Sequence, residues 1–404
     1  MSLELTIALL IELIKNRNIH GYQSTINNFL FEISKYEKRY SNMKISKSAF
    51  SQSRKKLSYQ VLEEMNREYV KNEVVNNRRN LWKGLNIFAV DGSMLTLPDD
   101  EKLTNKFKKP GNKNGTEAYM PKATIVALLN LNSMQVSEFQ IGNCDISEKE
   151  LFLKILPKIE KNSLIIADRF YGSRTFFHEF ESRGLFYLTR VKAGNMAQAE
   201  VKAFVQSKKL TAIIELEVAK EASIKHRVRL VRGPIDKKGS RIVFATNLLD
   251  KKRYHRKELI QLYRRRWEIE TYFNRIKNII NIEHFHSRSF NEIMQEIYVG
   301  LFYFNVTARS ITLTYNYKNL LKFKNLSWRI ALNALGRYIG SFIIIKFKKI
   351  QFLEFLILSM VNEIYHSKFE PRNGRSYPRF SKQPQDYWTK SSVRTAAKAI
   401  FNLN

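Results

Sequence analysis

The chain has 404 residues, long enough for two or three domains and a sizeable core. Its 69 Lys and Arg outnumber 37 Asp and Glu, for a formal net charge of +32. That excess speaks of partners: nucleic acid first, because each cation on a phosphate releases a condensed counterion, and an anionic membrane surface second. The single cysteine, Cys144, excludes an intramolecular disulfide and thiolate zinc fingers, and fits a reducing compartment.

Met1 to Ile14 is apolar, but Glu4 and Glu12 interrupt it and the first basic residue is Lys15. A signal peptide carries its charges the other way round, so a buried helix is expected here. Residues 1 to about 75 read as a helical domain. Within it, Ser46 or Ser48 is placed to cap a short helix whose exposed face carries Gln52, Arg54, Lys55 and Lys56. This is similar to a helix-turn-helix DNA reader; a solvated basic helix on a small bundle is the plainer alternative.

From Leu85 the texture becomes α/β. Leu85–Val90 reads as a strand ending at Asp91-Gly92-Ser93, Lys122–Leu131 as a second strand and Gln135–Ile141 as a third. The last two are joined by a turn at Asn132-Ser133, which suggests an antiparallel meander. Ser147-Glu148-Lys149-Glu150 fits a capping box before a helix over Leu151–Ile159. Ser163–Ala167 is a buried-type strand ending in Asp168-Arg169-Phe170-Tyr171-Gly172. A helix over Arg174–Ser182, a stop at Gly184 and a strand over Leu185–Thr189 follow.

Residues 191–250 read as a β-rich insertion, with alternating strands around Ile214–Val218 and His226–Val231 and a further strand over Arg241–Thr246. Glu258 to Ile280 then reads as one helix without Gly or Pro. On it Glu270 shares a flank with Arg266, Asn274 and Lys277. Asn291 to about Val361 is helical. The greasy stretch Phe342–Val361 is broken by Lys346, Lys348, Lys349 and Glu354, too interrupted to span a bilayer. The tail from His366 to Asn404 is basic, holds three prolines and reads as extended.

Two aspartates that follow strands, one helical glutamate and a strongly basic chain suit a divalent-cation site acting on phosphodiesters. Hard oxygen donors favour Mg²⁺ or Mn²⁺, and the cation offsets the repulsion between carboxylates. Each residue alone has a plainer role: Asp before Gly forms turns, and Glu270 pairs with Arg266 or Asn274. His284 and His286 follow the helix closely and read better as loop or cap residues than as ligands.

Tyr263, two residues, Arg266, three residues, Glu270, six residues and Lys277 resemble the Tyr-Arg-Glu-Lys signature of bacterial DDE transposases of the insertion-sequence-4 family. The blocks Asp91-Gly92-Ser93, Asp168-Arg169-Phe170-Tyr171-Gly172 and Ser48-Ala49-Phe50-Ser51-Gln52 are similar to that family's as well. The resemblance implies a ribonuclease-H-like α/β core, split over 76–190 and 251–320 around the 191–250 insertion. A helical DNA-binding domain over 1–75 would precede it, and a C-terminal helical region with a basic tail, 321–404, would follow.

It further implies Asp91, Asp168 and Glu270 as a metal-binding catalytic triad for Mg²⁺ or Mn²⁺, as two ions. Tyr263, Arg266 and Lys277 would contact the DNA backbone near the transposon end. The implied reaction is cleavage at transposon ends and transfer of the 3′-hydroxyl into target DNA. The partners would be double-stranded DNA and a second protomer in a synaptic homodimer. The protein would be bacterial, cytoplasmic and nucleoid-associated, with no membrane partner. A non-catalytic end-binding relative and a nuclease without strand transfer are the alternatives. Some relatives hold a flipped base on a Trp in the β insertion. Here Trp82, Trp267, Trp328 and Trp388 all lie outside 191–250, which leaves Phe204 or Phe244 as aromatic substitutes or core residues.

Overall fold

The computed structural model describes residues 1–15, 17, 21–76, 81–111, 117–193, 199–218, 221–236, 239, 241–318, 325–344 and 350–369. The basic tail, with Trp388 and Arg372-Asn373-Gly374-Arg375, lies outside the described residues from 370 onward. The chain divides into two compact units. One comprises residues 1–66, 96–122 and 276–404, the other residues 67–95 and 123–275.

The first unit is mainly helical. Helix α1 (Leu3–Lys15) is buried on nearly every side from Leu5 to Ile14, the pattern of a central helix rather than an amphipathic one. Around it come α2 (Tyr22–Ser34), α3 (Lys47–Lys56) and the first turns of α4 (Tyr59–Asn76). Ser46 caps α3, its hydroxyl accepting from the Ala49 N–H at 3.1 Å. Of the basic residues on α3, Lys55 and Lys56 are exposed. Arg54 is not: it is fully buried, and the expectation that it lies on the exposed face is corrected. It stands one turn from Phe50, which is also fully buried, so both point inward.

In the second unit, β1 (Asn86–Thr96) leads the sheet; its last residue, Thr96, falls in the first unit, as does α5 (Glu101–Phe107). Strands β2 (Lys122–Asn130) and β3 (Gln135–Asn143) pair antiparallel, as the turn between them requires. Helix α6 (Glu148–Ile155) starts at Ser147, whose hydroxyl accepts from the Glu150 N–H at 3.2 Å and donates to the Glu150 carboxylate at 2.9 Å. Pro157 turns the end of the expected helix into a short 3₁₀ segment. Then come β4 (Ser163–Ala167), α7 (Arg174–Glu181), β5 (Phe186–Val191), α8 (Ala199–Gln206), β6 (Thr211–Val218), β7 (Glu221–Ile235) and β8 (Arg241–Thr246).

These strands form a single eight-stranded mixed sheet in the order β3-β2-β1-β4-β5-β8-β7-β6. β1, β4 and β5 run parallel, while β8, β7 and β6 continue the sheet antiparallel beyond β5. The strands within residues 191–250 therefore extend the same sheet. One face buries Phe88, Val90, Val126, Ile165 and Tyr187 against Leu151, Phe152 and Ile155 of α6 and Phe176, Phe177 and Phe180 of α7.

The stretch expected as one helix is two: α9 (Arg256–Arg264) and α10 (Trp267–Asn278). Here the N–H groups of Arg265, Arg266, Glu268 and Ile269 bond three residues back instead of four. Arg265 there donates to the Leu131 carbonyl of the β2–β3 turn. Neither Gly nor Pro marks the break, and this long-range bond sits at it. The remaining elements are α11 (Phe290–Tyr317), β9 (Asn325–Leu326), α12 (Trp328–Ile344), α13 (Ile350–His366) and β10 (Lys368–Phe369), all in the first unit. Gly336 of α12 allows a close approach, since a Cβ there would stand 2.6 Å from the Tyr303 hydroxyl and from Lys15 Cδ. No described helix is long and apolar enough to cross a membrane.

Candidate active site

Asp91 lies inside β1 and not at its end as expected, but the sheet still exposes it at the edge of the parallel ladder. The β1–β4 register pairs Ala89 with Ile166. Two residues further along both chains are Asp91, still within β1, and Asp168, just past the end of β4, near enough for the Asp168 charge to act on the Asp91 carboxyl. Within β1 the Asp91 carboxylate accepts from the Gly92 N–H at 3.0 Å, while Asp168 opens a turn, its carboxylate accepting from the Phe170 N–H at 2.7 Å.

Glu270 comes from the first turn of α10. Arg266, at the break between α9 and α10, donates to the Glu270 carboxylate at 2.6 Å and lies 3.8 Å from that of Asp91. Tyr263 hydrogen-bonds Arg266 and rests against Phe244, ring centroids 4.5 Å apart. Burial pushes the Tyr263 phenol up to about 12. Asp91, Asp168, Glu270, Tyr263 and Arg266 thus all belong to one neighbourhood of the second unit. Lys277 falls in the first unit. Burial lowers its ammonium, nearby Glu283 raises it and Lys122 lowers it further.

The carboxylates strain against one another. Burial raises Asp91 to about 6 despite the Gly92 N–H and the Arg266 charge, and the charges of Asp168 and Glu270 add to that rise. Among the described residues no three such groups already stand at metal-coordination distance. Their chemistry does fit a divalent cation: oxygen donors, half-buried, converging, and in want of positive charge. Arg266 offsets the charges of Asp91 and Glu270.

Sequence reasoning passed over two residues here. Glu148, at the first position of α6, reads as an ordinary acid at a helix N-terminus. In the fold its carboxyl is raised by burial and then by Asp91 and Asp168. Tyr171 reads as part of a turn, yet it is fully buried with its hydroxyl close enough to feel Glu148, Asp91 and Asp168. No sequence signal marks Glu148. The aromatic run Phe170-Tyr171 beside Asp168 was visible without an indication of its direction. Phe204 and Phe244 are both buried, Phe204 in the core cluster, whereas Trp267 is 62 % exposed with the Arg266 guanidinium 5.4 Å from its ring.

The sequence profile of the transposase DDE domain matches residues 82–305, more than half of the chain and inclusive of all these groups. The chain belongs to the DDE transposase family. Among its relatives is the transposase InsG for insertion sequence element IS4 of Escherichia coli (strain K12). It is 24 % identical over 203 residues, which cover 48 % of this chain and 45 % of that protein. A second, the putative transposase InsZ of the same organism, is 23 % identical over 141 residues, 35 % of this chain and 47 % of that protein. The DDE transposase therefore spans about half the length of the curated relatives it matches, and its likeness is to the insertion-sequence-4 type. A piggyBac transposase synaptic complex with hairpin DNA superimposes with a TM-score of 0.47 at 12 % identity, over 96 % of this chain and 79 % of that one.

Proposed function

We propose that this DDE transposase cleaves DNA at transposon ends and transfers the freed 3′-hydroxyl into target DNA. The observation that carries this reading is the approach of Asp91 in β1 and Asp168 just past the neighbouring parallel strand β4, with Glu270 linked to Asp91 through Arg266. The order β3-β2-β1-β4-β5, with β1, β4 and β5 parallel, supports a ribonuclease-H-like core over 76–190 and 251–320 with 191–250 inserted. The 1–75 segment would serve as the DNA-binding domain and 321–404 as the C-terminal region.

Asp91, Asp168 and Glu270 would hold Mg²⁺ or Mn²⁺, as two ions. When bound, the ions supply an activated oxygen nucleophile and a stabilised leaving oxygen. The chain's own part is binding and orientation. Arg266 is free to pass from the carboxylates to a non-bridging phosphate oxygen, matching its fork to the phosphate, and Tyr263 steadies that guanidinium. In the first step water bonds to phosphorus and the 3′-oxygen leaves as a hydroxyl. In the second that hydroxyl bonds to a target phosphorus and displaces the target's own 3′-oxygen. Because two ends react together, a two-fold synaptic dimer is the fitting assembly.

Incubation of the protein with a linear duplex bearing its element ends and Mg²⁺ tests this. Nicked and joined products are expected. A mobility shift without nicking would reduce the protein to an end binder, and nicking without joining to a nuclease.

Lys55 and Lys56 on α3 and Lys277 on α10 are assigned to phosphate contacts. Replacing Lys55 and Lys56 together by Ala should weaken binding equally on specific and random duplex. It should also lower the slope of log K against log salt by roughly 2. Lys277→Ala should lower it by about 1. An unchanged slope would remove these residues from the interface.

A further inference from the structure

Helix α6 is fastened to both aspartate-bearing segments. A Cβ on Gly92 would collide with Cγ, Cδ and Oε1 of Glu148, so the Glu148 carboxylate lies against the backbone of the residue following Asp91. The next residue, Lys149, holds its ammonium 4.4 Å from the Phe170 ring centre, two residues past Asp168. One turn on, Phe152 meets Tyr171 edge to face at 5.3 Å. Gly172 closes this turn against β5, since a Cβ there would strike the Arg190 carbonyl. The Glu148 side chain is thereby held against the residue that follows Asp91, on a helix that also packs on the segment following Asp168.

Tyr171 adds an independent sign that something is to be bound there. Its side chain is fully buried, and its hydroxyl has no hydrogen-bond partner among the described residues. A buried hydroxyl left without a partner is costly unless a bound group completes it. Glu148 is the acid it feels most strongly, ahead of Asp91 and Asp168.

We infer that Glu148 is a fourth carboxylate of the divalent-cation site, seated in the room left by Gly92, and that the Tyr171 hydroxyl serves the bound state by donating to a ligand of that cation. Glu148 supplies a hard oxygen from α6, a second helix besides the α10 that carries Glu270. It would raise affinity by adding charge and donor count. The inference rests on reading Asp91, Asp168 and Glu270 as cation ligands.

The test is Mn²⁺ binding to the full chain without DNA, followed by the electron paramagnetic resonance signal of free Mn²⁺. Glu148→Gln should bind Mn²⁺ about tenfold more weakly than wild type. Gly92→Ala, which displaces the same carboxylate without removing it, should do likewise. Tyr171→Phe should weaken binding by a smaller factor. Circular dichroism melts of the cation-free variants report folding. Wild-type Mn²⁺ affinity in folded Glu148→Gln overturns the assignment. Asp91→Asn separates the two levels: if it weakens binding while Glu148→Gln does not, only the fourth ligand falls. If Asp91→Asn also binds like wild type, the cation site itself is misplaced.

Discussion

Asp91→Asn should lower end nicking by about 10³-fold or more while leaving the end-bound complex largely intact. A ligand to the reacting cation is worth several kcal/mol of transition-state stabilisation, and each 1.36 kcal/mol is a factor of ten. Asn keeps the shape, and its carbonyl can still accept the Gly92 N–H now held at 3.0 Å. What it loses is charge, in a place where burial and the charges of Asp168 and Glu270 already hold the acid at about 6. Asp168→Asn should behave alike. Glu270→Gln should share the loss and also weaken the 2.6 Å contact that holds Arg266. Single-turnover nicking of an end duplex in Mg²⁺, beside a gel-shift titration in Ca²⁺, measures both quantities. Asp91→Asn nicking at the wild-type rate would defeat the site assignment.

Arg54→Ala should damage stability rather than DNA contact. The Arg54 guanidinium lies in a closed network of the first unit. It meets Glu296 at 3.0 Å, the Glu292 carbonyl at 3.1 Å, Gln295 at 3.3 Å and the Tyr22 hydroxyl. Arg17 enters from the other side and donates to the carbonyls of Ile282 at 2.8 Å, His284 at 3.0 Å and Glu296 at 3.0 Å. Glu296 is fully buried. Burial pushes its carboxyl up, but the His286 hydrogen bond and the Arg54 and Arg17 charges outweigh that and bring it down to about 2.

Breaking such a buried pair from one side costs about 3–5 kcal/mol, because the remaining charge is left without compensation. Thermal melting should show the loss in Arg54→Ala, and the paired change Arg54→Met with Glu296→Gln should recover part of it. Melting of Arg54→Ala at the wild-type temperature would sink this account. The pH dependence has a definite sign. A carboxyl lower in the folded chain than its usual 4.5 contributes stability above that value, and the contribution is lost as pH falls towards about 2. The stability difference between wild type and Glu296→Gln should therefore narrow below about pH 4.5. His286, expected as a loop or cap residue, belongs to this network: its ring nitrogen lies 3.3 Å from Glu296.

Arg54 also shows how a legible signal was misread. In a run of Arg54-Lys55-Lys56 the charges suggest one solvated face. The four-residue spacing from Phe50 places Arg54 on the apolar side, and only Lys55 and Lys56 face water. Periodicity carried the answer, and composition masked it. The strand Ser163–Ala167 and the Ser147 and Ser46 caps were readable because they depend on neighbours within a few residues. The break at Arg265-Arg266 was not, since its Arg265 bond runs to Leu131, 134 residues away.

By itself, the sequence determined the family through the Tyr263, Arg266, Glu270 and Lys277 spacing, the α/β texture through its local apolar periods, and a formal net charge of +32. These are one-dimensional properties, set by identity, order and number. Tertiary structure alone decided that Asp91 comes near Asp168, because a β1–β4 register is a relation between strands about 77 residues apart. It alone turned Arg54 inward and set Glu148 over Gly92. An acid at the first position of a helix looks the same in sequence whether it faces water or another acid. Which one it faces is set by where the sheet puts the helix.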